Sequence, residues 1–342
     1  MSASSNPDPQ PVIDIHIHIG GKGNSTSCTM SPQFLRSAAY MYMVARSGIP
    51  LIDLMRDHDK ALRERILTHL NASEHTDFGV LLALDAVFHP DGSYADEATH
   101  MVTPNEYVSG LAALEEKVLF GASVHPHRGR DAGLQLIDEC LVGGAALMKW
   151  IPSSQLIDPA SPKHDWFYEK LVDAGLPLLC HVGPEHAVPV NDADDQLLSD
   201  PRRLERALDI GVTVIAAHCG TAFFPGERDC MPELSGMLEE AEGRNWKLYA
   251  DISALCSFFR MGMIDDVLEK IPADRMVYGS DYPVPVDTMP PGIVETLDWS
   301  EVVAISRIDN PFDKNYVQLL AMDFPQEAMT RAAGLLRLEG TV

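Results

Sequence analysis

Eight short apolar runs, each bounded by Gly, Pro or Asp and separated by helix-like stretches, recur along most of the chain. They are Val12 to Ile19, Phe78 to Leu84, Val118 to Val124, Ala145 to Trp150, Leu176 to Val182, Val212 to His218, Lys247 to Ile252 and Met276 to Asp281. This alternation is the mark of βα units and a parallel sheet. After the first run the spacing is about 25 to 40 residues, the length of a strand, a helix and their loops, so the pattern predicts an α/β (β/α)₈ TIM barrel. The longer gap after the first strand carries helical patterns over 31–75, as in LIDLMRDHDKALRERILTHL, and reads as extra helices near the barrel mouth. Beyond Pro291, helical sequence over 291–342 reads as a C-terminal extension packed on the outside. No linker divides 11–342, which reads as a single catalytic domain behind a polar, disordered leader at 1–10.

Charge narrows the range of partners. The 342 residues include 26 Lys or Arg and 50 Asp or Glu, a formal net charge of −24. Nucleic acid and anionic membrane are disfavoured, because both require clustered cations. The first residues lack a basic and an apolar region, so they do not read as a signal peptide, and no apolar run reaches the ~18 residues of a membrane span. A cytoplasmic location is expected. Six scattered cysteines without CxxC pairs read as reduced thiols. The sequence leaves the oligomeric state open, and a homo-oligomer is compatible with it.

Strand periodicity turns the first run into a chemical clue. In VIDIHIHI successive side chains alternate, so Asp14, His16 and His18 are expected on the inner face, with Ile13, Ile15, Ile17 and Ile19 under the helices. Three other runs end in comparable groups: His181 in LLCHVG, His218 in IAAHCG and Asp281 in YGSDYP, while strand four offers Lys149 in LMKWIP. Imidazoles and a carboxylate converging at the C-terminal face of a barrel are ligands for a borderline divalent ion such as zinc. Cys180 and Cys219 adjoin the histidines but alternate away from them and read as apolar filler. Asp14 reads as a hydrogen-bonding support; Asp251 and Ser253 read as either pocket-lining or ordinary strand-end residues. Gly20, Gly21 and Gly23 match no phosphate-loop spacing and read as a flexible loop. Around the mouth, SVHPHRGRD supplies His125, His127 and Arg128, and ISALCSFFRMG supplies Arg260, as candidates to hold an anionic substrate.

From IDIHIHIG through AAHCG to VYGSDYPVP the chain resembles the amidohydrolase superfamily of metal-dependent barrel hydrolases, in its amidohydrolase-related, aminocarboxymuconate-semialdehyde-decarboxylase-like branch. The resemblance implies that His16, His18, His181 and Asp281 are metal ligands. It further implies that His218 is a second-metal ligand or a catalytic histidine and that Asp281 shuttles protons. It also implies that Lys149 is carboxylated and bridges two ions, with a single-ion site as the alternative. On this reading the protein is a hydrolase in which a metal-activated hydroxide attacks an amide, lactone or ester carbonyl of a small, carboxylate-bearing substrate. A one-metal decarboxylase or hydratase of an unsaturated or aromatic acid is the competing reading, and a non-catalytic metal-binding protein the lesser one.

Overall fold

A computed structural model describes residues 10–224, 226–289 and 296–338. The proposed leader therefore lies outside the described residues, apart from Gln10, as do the ends of the 291–342 segment. The eight strands are β1 (Ile13–His18), β2 (Phe78–Leu82), β3 (Val118–Ala122), β4 (Ala145–Trp150), β5 (Leu178–Cys180), β6 (Val214–Ala216), β7 (Leu248–Asp251) and β8 (Met276–Val277). They pair in chain order, all in parallel, as one eight-stranded curled sheet. Backbone bonds join β1 to the chain that follows β8: Ile15 N–H donates to Tyr278 O, His18 N–H to Tyr282 O and Asp281 N–H to His16 O. This order and sense are those expected of a (β/α)₈ barrel.

Several strands are shorter than the apolar runs suggest. β5, β6 and β8 stop before His181, His218 and Asp281, which therefore sit on the connections just past the strand ends. At the second and third of these positions the backbone turns left-handed, with φ of 58° at His218 and 62° at Asp281, and a ladder cannot continue through that conformation.

In-register neighbours share a face, so the inner face can be followed from strand to strand. Lys149 pairs with Leu179 and Leu179 with Ile215, while Asp251 pairs with Val277. The inner apolar cluster holds Ile13, Ile15, Val80, Leu147, Leu179 and Val277, whereas Ile17 and Ile19 belong to the layer under the helices. The four isoleucines thus do not share a face. The β1–β2 register shifts between Asp14 and Ile17, and this bulge moves His16 inward immediately after Ile15. Asp14, expected inside, is in register with Gly79, and its carboxylate accepts the backbone N–H groups of His16 and Ser280. It ties β1 to the chain that follows β8.

The 31–75 segment forms four helices: Pro32–Leu35, Ala38–Arg46, Leu51–Arg56 and His58–Ala72. The single helical pattern read across LIDLMRDHDKALRERILTHL is broken at Asp57, whose extended backbone places its carboxylate to cap Lys60 N–H. The C-terminal helices also depart from expectation. Trp299–Ser306 and Pro311–Ala321 pack on the outer layer, but Ala332 and Leu336 join the inner cluster with Ile13 and Val277. Ala332 and Leu336 thus bury their side chains against the apolar interior of the curled sheet.

Candidate metal centre

β1 carries two imidazoles inward past its bulge, and the rest of the site gathers around them. His16 Nε2 lies 3.1 Å from His18 Nε2, 2.9 Å from Lys149 Nζ and 3.4 Å from Asp281 Oδ1. The same Asp281 oxygen is 3.3 Å from His18 Nε2. His218 packs its ring on that of His16 with centroids 5.0 Å apart, and His181 meets His218 at 5.1 Å. Among the described residues, His16, His218 and Asp281 offer ligand atoms within 4.8 Å of one another. The close approach of β8 depends on Gly279, since a Cβ there would stand 2.9 Å from His16 Cβ.

The hydrogen-bond network fixes which ring nitrogens carry protons. His16 Nδ1 is 2.7 Å from Asp251 Oδ2, so Nδ1 is the protonated nitrogen and Nε2 keeps its lone pair. Ser253 Oγ donates to Asp251 Oδ1 at 2.5 Å and accepts from His218 Nδ1 at 2.8 Å, with the same result for His218. His181 Nδ1 faces Glu185 Oε2 at 3.3 Å, while its Nε2 is buried with no hydrogen-bond partner. Carboxylates, directly or through Ser253, hold the three rings from behind, which is how proteins orient histidines toward a metal, while His181 and His18 fall outside the group of mutually close ligand atoms. An orphaned buried nitrogen beside a carboxylate is the observation that fits a divalent ion here.

Electrostatics agree with this. Burial, reinforced by the Lys149 ammonium, holds His16 below its ordinary range. Burial likewise takes His181 down to about 4 and His218 well below the usual value. Burial also lowers Lys149, favouring the free amine. Burial alone would raise Asp281, but His16 and the bond with His18 outweigh it and keep the carboxyl ionised. Neutral imidazoles and an anion make up the donor set a divalent cation requires.

Above these groups opens a cavity of about 550 Å³ lined by His18, Lys149, His181, His218, Asp281 and Arg260 at its polar end. Arg260 is buried, donates to Thr221 Oγ1 at 2.8 Å and leaves its Nε–H without a partner. The other candidate anion binders lie elsewhere. Arg128 is engaged in a bidentate pair with Asp85, both bonds 2.6 Å, and stacks over Phe88. His125 Nε2 donates to Gln155 O, and His127 Nδ1 donates to Phe88 O. None of the three lines the cavity. Their sequence reading as substrate groups missed Asp85, 43 residues away on another loop.

The two cysteines next to the histidines point elsewhere, Cys180 Sγ toward His181 O and Cys219 Sγ toward Asp251 O. The loop of Gly20, Gly21 and Gly23 is pinned, because Asp59 accepts from Lys22 N–H, Ser25 N–H and Thr26 Oγ–H. Sequence reading left Asp251 undecided and did not single out Glu185. The available signal was an acid following the strand-five histidine by four residues in HVGPE.

A model of the amidohydrolase family matches residues 13–307. The chain belongs to this family. Among curated proteins, none matches it. Solved structures resemble this chain at low identity. An uncharacterized TIM-barrel protein from Bordetella bronchiseptica is 17% identical, with a TM-score of 0.54 over 91% of this chain and 99% of that one. A protein from Acinetobacter baumannii described as a probable 2-pyrone-4,6-dicarboxylic acid hydrolase, with citric acid bound, is 14% identical, with a TM-score of 0.55 over 97% and 98%. A 5-carboxyvanillate decarboxylase from Novosphingobium aromaticivorans, with bound manganese, is 12% identical, with a TM-score of 0.50 over 94% and 97%. Such likeness speaks for the fold, and these neighbours include both a probable hydrolase and a decarboxylase. No helix among the described residues of this chain is long and apolar enough to cross a membrane.

Proposed function

We propose that the protein is a metal-dependent hydrolase of a small carboxylate-bearing substrate, built on a closed (β/α)₈ barrel within one domain. The observation that carries this reading is the His181 Nε2 lone pair, buried and unpartnered, on a ring that meets His218 of the His16, His218 and Asp281 group. His16, His18, His181, His218 and Asp281 would hold the ion, zinc being the expected one, and a carboxylated Lys149 would add an oxygen ligand for a second ion. When bound, such an ion lowers the pKa of a coordinated water to around 7 and polarises a carbonyl oxygen. Burial lowers the Lys149 pKa, which favours the uncharged amine that carboxylation by CO₂ consumes. Asp281, ionised and facing the cavity, accepts a proton from the attacking water and returns it to the leaving group. Arg260 directs its free Nε–H toward a substrate carboxylate.

Decarboxylation is the second reading, favoured by one feature of the cavity. Phe223 and Phe259 stack at 4.6 Å on its wall, a surface suited to a flat unsaturated acid. Both readings depend on metal. His16 and His18 replaced together by Ala should lose the zinc or manganese found by elemental analysis in the wild type, and full retention overturns the metal reading. In the wild type prepared with bicarbonate, two equivalents of metal, falling to one or fewer in Lys149→Ala, support the bridged pair. A panel of lactones, amides and carboxylated phenols then decides between hydrolysis and loss of CO₂.

A further inference from the structure

The cavity is divided chemically. Its polar end is the candidate metal centre with Arg260, Glu185 and His186, and the remainder is mostly apolar, with Ser37, Ser47, Tyr40 and Tyr42 interspersed. One apolar wall is a ring cluster, Phe223 to Phe224 at 4.9 Å and Phe224 to Phe259 at 5.4 Å, with Tyr42 against Phe259 at 5.7 Å. More of the lining belongs to a cluster separate from both main cores: Phe34, Met101, Ile151 and Val188, with Met30 and Tyr40 packed against it and Leu84 behind the lining. All but Leu84 line the cavity, with Phe34 and Tyr40 coming from the 31–75 helices, Val188 from the loop after β5, Ile151 from the end of β4, and Met30 and Met101 from a short antiparallel pair. The lining reaches solvent at Phe224, which is 41% exposed.

Cations are scarce in the same space. Among the described residues, Lys149 and Arg260 are the Lys and Arg side chains that line it. Lys149 sits against His16 at the floor, which leaves the Arg260 guanidinium for one anion. A second carboxylate reaching into the apolar end would lose its hydration without gaining a partner, which is strongly unfavourable.

We propose that the cavity takes a single-headed amphipath, a monocarboxylate whose carboxylate lies between Arg260 and the candidate metal centre and whose alkyl or arylalkyl body fills the apolar end. This rests on the reading of the cavity as the site of reaction, and it separates this chain from a hydrolase of compact dicarboxylic acids.

The test is a titration series on the metal-loaded protein. Butanoate, hexanoate, octanoate and decanoate are expected to bind about threefold to fourfold more tightly per added methylene, the factor set by apolar burial, until the cavity is full. Octanedioate should bind at least tenfold more weakly than octanoate. Val188→Trp, which occupies the apolar end, should abolish the gain beyond hexanoate while leaving butanoate unchanged. If that variant does not fold by circular dichroism, the wild-type series alone decides. A flat series, or octanedioate binding as tightly as octanoate, overturns the inference. Metal content measured on the same preparation separates the two readings. A flat series with full metal overturns only the amphipath, and a steep series on protein that holds no metal overturns only the metal centre.

Discussion

At the scale of single residues, Asp251 does more than its neighbours. One oxygen holds the His16 Nδ1 proton, and the other accepts the backbone N–H of His218 at 2.7 Å and the hydroxyl of Ser253. Burial alone would raise its pKa, but His16 and these bonds outweigh that and keep it ionised. It is a positioning residue, acting through two imidazoles. Asp251→Asn preserves volume but puts an NH₂ group where one acceptor oxygen was. Either His16 or the Ser253–His218 pair then faces a donor, and a ring that turns its proton to Nε2 can no longer ligate. Metal affinity, measured by chelator competition, should fall about 10- to 100-fold, the usual effect of removing a carboxylate behind a ligating histidine. The thermal midpoint of the metal-free protein should move little. Unchanged affinity would sink the assignment. This residue was not legible in the sequence because a lone acid at a strand end has many uses, and its partners lie 235 and 33 residues away. His16 and His18 were legible because strand periodicity is local.

At the scale of elements, the helix Ala38–Arg46 covers the cavity without burying a residue of its own. It is held at two points. Tyr40 Oη meets His58 Nε2 at 2.6 Å, and Asp287 receives Tyr42 Oη at 3.0 Å and Arg46 Nη2 at 2.7 Å. Elements with few buried contacts open locally before the fold does. Arg46 is 45% exposed, so solvent discounts its ion pair, and removing the Asp287 anchor should cost the helix on the order of 1.4 kcal/mol. Asp287→Ala should therefore speed amide hydrogen exchange over 38–47 roughly tenfold while leaving β4 to β6 unchanged. Uniform acceleration across the protein would mean the anchor is global, contrary to this account. The element scale also marks the limit of periodicity. The eight runs revealed the strands in their order, yet the β1 bulge broke the alternation at Ile15 and His16, because pairing register is a tertiary property. The same holds for the segment around Ala332 and Leu336, which reads as an outer helix in sequence, whereas its burial with Ile13 and Val277 depends on the inner face of the sheet.

At the scale of the whole molecule, acid stability is set by two opposing effects. The net charge of −24 means that protonating carboxylates relieves self-repulsion, mostly below about pH 5 and less so in high salt. Buried neutral histidines work in the opposite direction. His164 is fully buried with neither ring nitrogen partnered, against the rings of His127 and Trp150, and burial takes its pKa down to about 4. His125 is taken down to about 3, also by burial, and its Nδ1 already accepts the His127 backbone N–H. In the unfolded chain both titrate near 6.5, so from there down to about pH 4 the unfolded state binds more protons than the folded one. The stability these two groups contribute is complete above about pH 6.5 and falls with acidification by about 1.4 kcal/mol per pH unit for each. In roughly 0.5 M salt, where surface repulsion is screened, urea titrations from about pH 6.5 to 5 should show this loss. His164→Leu removes one titrating group and no hydrogen bond, so its stability should decline less steeply than that of the wild type by about 1.4 kcal/mol per unit. The metal-site histidines titrate in both proteins, so their contribution cancels in the difference. Parallel slopes would show that His164 is protonated in the folded state and that its burial does not govern acid unfolding.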